Sequence, residues 1–235
     1  MKDQEIVERS VTIPAKGVTL QGDLNVPARA NGIVLFAHGS GSSRHSPRNR
    51  YVARVINSYG LGTLLFDLLT ADEEEAERFT RHLRFDIGML SGRLTAAARW
   101  IEGCEDTKSL RIGFFGASTG GGAALVSAAE IGKSIGAVVS RGGRPDLAAD
   151  TLAKVASPVL LIVGERDDRV ITLNEQAFDQ LNCEKELKIV PGATHLFVEP
   201  GTLEQAARLA AVWLSKHLAV SARTAGHGGD SAGAN

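Results

Sequence analysis

Leu110-Arg111-Ile112-Gly113-Phe114-Phe115-Gly116-Ala117-Ser118-Thr119-Gly120-Gly121-Gly122-Ala123-Ala124-Leu125 reads as three consecutive pieces: an apolar strand, a turn with a serine at its apex, and a small-residue segment able to start a helix. So sharp a strand-to-helix corner forces its central residue into sparsely populated backbone geometry. Glycines two before and two after it remove the side chains that would collide there. The serine hydroxyl is then presented above the sheet. A chain with 26 glycines meets a bare G-x-S-x-G readily, so the weight of the pattern comes from what surrounds it.

Working outward, short continuous apolar runs alternate with longer helix-like stretches, the pattern of a parallel sheet buried on both faces. The runs are 32–37, 63–66, 110–115, 135–140, 159–163 and 187–190. Ahead of them, 6–13 and 18–26 flank Pro14-Ala15-Lys16-Gly17, a turn signal between alternating segments. The expectation is about eight strands: an N-terminal antiparallel hairpin leading into a mostly parallel twisted sheet. Helices are expected on both faces, at 48–58, 85–101, 120–131, 173–181 and 203–218. The last carries an apolar stripe of Leu203, Ala206, Ala207, Ala210, Val212, Trp213, Leu214 and Leu218.

At 235 residues, the chain suits one α/β domain over 1–218. Two stretches resist a core assignment. Residues 71–84 combine Asp72-Glu73-Glu74-Glu75 with Arg78, Arg81 and Arg84, and read as a solvated, mobile connection. Residues 219–235 hold no large apolar side chain beyond Val220 and read as a disordered tail. Acidic and basic residues nearly cancel, 27 against 26, so no global field favours nucleic acid or an anionic membrane. A small molecule is the expected partner, with oligomeric state left open. The opening Met1–Glu5 lacks the apolar core of a signal peptide, and no later run approaches the roughly 18 apolar residues of a membrane span, so a cytoplasmic location is expected. Cys104 and Cys183 lack CxxC spacing and read as structural thiols. No metal-ligand spacing or phosphate-loop motif occurs, so neither metal nor cofactor is expected.

In a parallel sheet, the residues just past each strand converge at one edge. Here those positions hold His38-Gly39-Ser40-Gly41, Ser118, Gly164-Glu165-Arg166-Asp167-Asp168-Arg169-Val170 and Pro191-Gly192-Ala193-Thr194-His195. A serine hydroxyl is almost wholly protonated at neutral pH and needs a base to become a nucleophile. His195 can supply one, and a carboxylate from Asp167 or Asp168 can fix its tautomer. Backbone N–H groups of Thr119 and of Ser40 in the glycine-rich loop are the expected oxyanion donors.

Strand-H-G-S-G-S, G-A-S-T-G, G-E-R-D-D-R-V and P-G-A-T-H-L-F, in that order, resemble the α/β-hydrolase superfamily, and within it the small dienelactone-hydrolase-like members, over about residues 18–218. The resemblance implies the order Ser118, Asp167, His195 for a catalytic triad, since the family's acid lies three residues before the valine. It also implies cleavage of a carboxylic ester of small or short-to-medium acyl size. Dienelactone hydrolase proper is known for a cysteine nucleophile, so its lactone substrate is not carried over to a chain with Ser118. A thioesterase, lactonase or small-peptide hydrolase would share the triad. A non-catalytic binding protein could share the scaffold.

Three further residues at this edge are candidate substrate contacts: His38, Arg141 and Arg144. His38 is read chiefly as shaping the oxyanion loop. Arg141 and Arg144 could meet a substrate carboxylate or pair with Asp146 and Asp150. The stretch between Ser140 and Val159 is too short for a sizeable helical lid, which predicts an open site.

Overall fold

The computed structural model describes residues 6–219. Eight strands form one sheet: β1 (Ile6–Ala15), β2 (Val18–Pro27), β3 (Gly32–Ala37), β4 (Gly62–Phe66), β5 (Arg111–Ala117), β6 (Ile135–Arg141), β7 (Val159–Gly164) and β8 (Lys185–Val190). Their spatial order is β1-β2-β4-β3-β5-β6-β7-β8. β1 pairs antiparallel with β2, and β2 with β4, while every pairing from β4 to β8 is parallel. This is the α/β-hydrolase architecture expected from the sequence. The expected 219–235 tail lies outside the described residues beyond residue 219.

The sheet separates two apolar layers. On one side α3 (Ile87–Gly103) and α4 (Thr119–Ile131) pack through Leu90, Leu94, Ala97, Ile101, Ala124 and Leu125 against Ile33, Leu35, Ile112 and Phe114. On the other, α1 (Pro47–Ser58) and α6 (Thr202–Leu218) pack through Val52, Ile56, Ala207, Ala210, Trp213 and Leu214 against Val34, Phe36, Phe115 and Val139. Because both faces are covered, β3, β4, β6 and β7 are buried at every position. Continuous apolar runs are the consequence of that burial.

β3 lies between β4 and β5, so the chain leaves it toward one edge of the sheet and later returns toward the other. The carboxyl ends of β3 and β5 therefore flank a crevice where strand order reverses, the place where parallel sheets bind ligands. Ser40 follows one strand and Ser118 the other.

The charged 71–84 segment departs from expectation. It is solvated apart from Glu77, as expected, but it is a helix, α2 (Ala71–Thr80), followed by a 3-10 turn at Leu83–Phe85. Thr70 and Glu73 close a capping box, and Asp72, Glu73 and Glu74 sit in the first turn where the helix dipole favours acidic groups. Glu77 is fully buried. Its carboxylate accepts from the N–H groups of His82, Leu83 and Arg84, from Thr80 Oγ1 and from Arg84 Nε. These donors hold the carboxylate charged and drive its pKa well below the usual range against the cost of burial. A dense charge run was thus a folded element organised around one carboxylate.

α5 (Asp168–Gln180) begins earlier than the expected 173, directly after Asp167. Between β6 and β7 the chain makes only 3-10 turns, at Pro145–Lys154.

Candidate active site

Ser118 has φ 52° and ψ −122°, a backbone geometry that costs on the order of 1–3 kcal/mol for a residue other than glycine. Three backbone hydrogen bonds hold it there. Its N–H donates to Arg141 O at 3.2 Å, and its carbonyl accepts from Gly121 N at 2.9 Å and Arg144 N at 3.0 Å. At about 1 kcal/mol each, they match the strain. Gly116 and Gly120 are required by close approach: a Cβ on the first would overlap Gly120 O, and on the second Ala37 O. The hydroxyl-bearing residue is left half-buried at the strand edge.

Asp167 is half-buried at the start of α5, and its Oδ2 lies 2.6 Å from His195 Nδ1. Asp168, one step into the helix, is exposed and makes no such contact. Of the two neighbouring acids, the fold brings Asp167, the one the family resemblance implies, to the histidine. Nδ1 bearing the proton toward Asp167 leaves Nε2 as the free base. The His195 loop reaches the Ser118 corner through Gly142, the residue after Arg141, where an added Cβ would lie 3.5 Å from His195 Nδ1. No hydrogen bond joins Ser118 Oγ to His195 in this structure.

Two glutamates to which the sequence reading gave no role secure the loop. Glu199 accepts from Thr194 N at 3.0 Å and Thr194 Oγ1 at 2.7 Å, which holds its pKa below the ordinary carboxylate value. Glu165 accepts from Gly192 N at 2.7 Å. Glu199 stands four residues beyond His195, and nothing in the local sequence announces its bonds to Thr194.

The three candidate substrate contacts meet different fates. His38 is buried, and both ring nitrogens are engaged by backbone: Nε2 accepts from Leu68 N at 2.9 Å, and Nδ1–H donates to Gly39 O at 3.0 Å. Burial lowers its pKa, which keeps the ring neutral and suited to that bonding. It shapes the loop and offers substrate nothing. Arg144 takes the second of its two expected roles, a bidentate pair with Asp146 at 2.8 and 2.7 Å, which leaves its guanidinium engaged with an acid of its own chain. Arg141 does not pair with an acid. Its guanidinium lies 5.8 Å from the Phe115 ring centroid and 5.6 Å from that of Phe197, 7% exposed, with Nε and Nη1 unpartnered among the described residues. Burial, with Arg48 nearby, lowers its pKa to about 10.

The two expected oxyanion residues also touch. Ser40 N–H donates to the side-chain Oγ1 of Thr119 at 2.9 Å, so it does not stand free. The arginine-rich stretch after Ser40 is neutralised in part: Arg44 pairs with Asp67, and Arg50 lies 3.5 Å from Asp23.

Residues 22–218 match the dienelactone hydrolase family. The chain belongs to the dienelactone hydrolase family. A dienelactone hydrolase of Anabaena variabilis superposes with a TM-score of 0.89 at 56% identity, covering 91% of this chain and 99% of that one. An esterase of Pyrococcus furiosus shares the fold, with a TM-score of 0.70 at 19% identity, covering 92% and 94%. A Mycobacterium tuberculosis protein provisionally named a phosphoribosyl transferase is 53% identical over 216 residues, 92% of this chain and 48% of its own length. The chain thus spans about half the length of the curated relatives it matches. No helix among the described residues is long and apolar enough to cross a membrane.

Proposed function

We propose that this family member is a serine hydrolase that cleaves carboxylic esters of small or short-to-medium acyl groups through a covalent acyl-enzyme, with residues 1–218 as its catalytic unit. The observation that carries the reading is the 2.6 Å Asp167–His195 contact at the edge where Ser118 is held at φ 52°. In this scheme His195 Nε2 takes the hydroxyl proton as Ser118 Oγ attacks the ester carbonyl carbon, whose π electrons move onto oxygen. The tetrahedral species collapses, the C–O bond to the alcohol breaks, and His195 returns the proton to the leaving alkoxide. Water then repeats the two steps and frees the acid and Ser118. Asp167 orients the ring and offsets its transient positive charge. Thr119 N–H, in the first turn of α4 where N–H groups lack intrahelical partners, meets the oxyanion.

The short 3-10 connection between β6 and β7 favours compact acyl groups over long chains that need an apolar tunnel. Arg141 is the candidate to meet an acidic substituent on the substrate, because it is a buried cation without a carboxylate. Acyl transfer is preferred over the transferase name of the longer relatives because this edge gathers a nucleophile, a base and a carboxylate.

A panel of p-nitrophenyl esters from acetyl to long acyl, assayed with native protein and Ser118→Ala, tests the reading. Hydrolysis of the short esters is expected in the native protein and its loss in the variant. Equal inactivity of both, or equal activity, overturns it.

A further inference from the structure

The Thr119 side chain sits where a backbone donor was expected to be free. Its Oγ1 accepts the Ser40 N–H at 2.9 Å, it is 2% exposed, and among the described residues its own hydroxyl proton has no acceptor. A buried O–H without an acceptor forgoes a hydrogen bond, and a group left so in a folded protein calls for an explanation. Two facts locate the missing acceptor. Thr119 directly follows Ser118, and the loop carrying Ser40 presses against the same corner, since a Cβ on Gly39 would lie 3.0 Å from Ser118 Cβ.

The geometry points to the Thr119 hydroxyl as a side-chain oxyanion donor that the Ser40 N–H reaches only through it. This rests on the acyl-enzyme reading above. The Ser40 N–H donates into Oγ1 and polarises the O–H bond, since hydrogen bonds in series strengthen one another. The polarised O–H then donates to the carbonyl oxygen as Ser118 attacks, beside the Thr119 N–H. The proton remains on Oγ1 throughout. One residue supplies two donors, and the loop after β3 contributes by holding the second in place. The stabilisation grows as charge develops on the substrate oxygen, so it acts on turnover rather than on ground-state binding.

The test compares native enzyme with Thr119→Val, which keeps the shape and removes the O–H, and Thr119→Ser, which keeps the O–H. Each is assayed on the short p-nitrophenyl ester that the native protein turns over best. Thr119→Val is expected to lose about 10²–10³-fold in kcat with KM little changed. Its affinity for a trifluoromethyl ketone, which forms a tetrahedral adduct with the serine, should fall with kcat. Thr119→Ser should retain most of both. Native-like kcat and ketone affinity in Thr119→Val overturn the proposal, as does a rise in kcat, which would show the hydroxyl competing with substrate for the Ser40 N–H. Should Thr119→Val fail a thermal-melt check for folding, Thr119→Ala carries the same expectations and the same power to overturn. Absence of any Ser118-dependent turnover in native protein defeats the underlying functional reading instead, so the two failures are distinguishable.

Discussion

Asp167 and His195 stand 28 residues apart in the chain and are joined by a 2.6 Å contact between Oδ2 and Nδ1. Asp167→Asn preserves the shape but offers an amide, which can favour the wrong imidazole tautomer. In serine-protease triads the equivalent change lowers kcat about 10⁴-fold, and a loss of that order is expected here. Asp168→Asn, altering an exposed neighbour, should leave ester turnover unchanged. Steady-state kinetics of the two variants side by side checks both; equal losses would remove the special role of Asp167.

Gly120→Ala should prevent formation of the Ser118 corner. The added methyl would overlap the Ala37 carbonyl oxygen at the end of β3, a backbone atom of the central sheet that cannot rotate aside. A destabilisation of about 4 kcal/mol or more is expected, in the range reserved for severe core overlap. Chemical denaturation of purified protein, or its failure to accumulate as folded material, provides the measurement. By contrast, an added Cβ at Gly92 meets nothing within 4 Å, and Gly92→Ala should be tolerated.

Glu77→Gln should loosen the turn that follows α2. The native carboxylate accepts from three consecutive backbone N–H groups, and an amide would replace one acceptor oxygen with a donor. Hydrogen exchange should quicken at His82, Leu83 and Arg84, with the amides of β5 unaffected. Unchanged protection at all three would show that the clamp is dispensable.

Stability should fall as the protein is acidified from near pH 6.5. Burial lowers the His38 pKa in the folded state, so the unfolded chain takes up a proton first. The contribution is therefore complete above the unfolded value of about 6.5 and is lost as pH falls toward the folded value. His217, also lowered by burial, acts in the same direction. Denaturation midpoints of native protein and His38→Gln across pH 5–8 test this, with a flatter profile expected in the variant. Parallel profiles would assign the effect elsewhere. Glu73 and Glu77, both lowered, add their loss at more acid pH.

Much of this molecule is determined locally. Six apolar runs became six parallel strands, and in four of them, β3, β4, β6 and β7, burial at every position accounts for the continuous run. β8 is the least buried of these, and its run was read without the charged Lys185 and Glu186. The glycines around Ser118 announced a close-packed turn because only a missing Cβ fits there, and chain order alone placed four reactive loops at one sheet edge.

What the sequence did not determine are the partners. Asp167 and Asp168 are chemically identical, and only the start of α5 turns one toward His195 and carries the other into solvent. The charge run at 71–84 hid a helix because Glu77, its one buried residue, shows that burial only once the left-handed turn at Arg81 folds three N–H groups onto it. Ser40 and Thr119 are 79 residues apart, and nothing local to either announces their hydrogen bond. Backbone periodicity is set by neighbours in the chain, whereas a polar side chain's role is set by the group that desolvation leaves it to bond. Which group that is, only the tertiary structure decided.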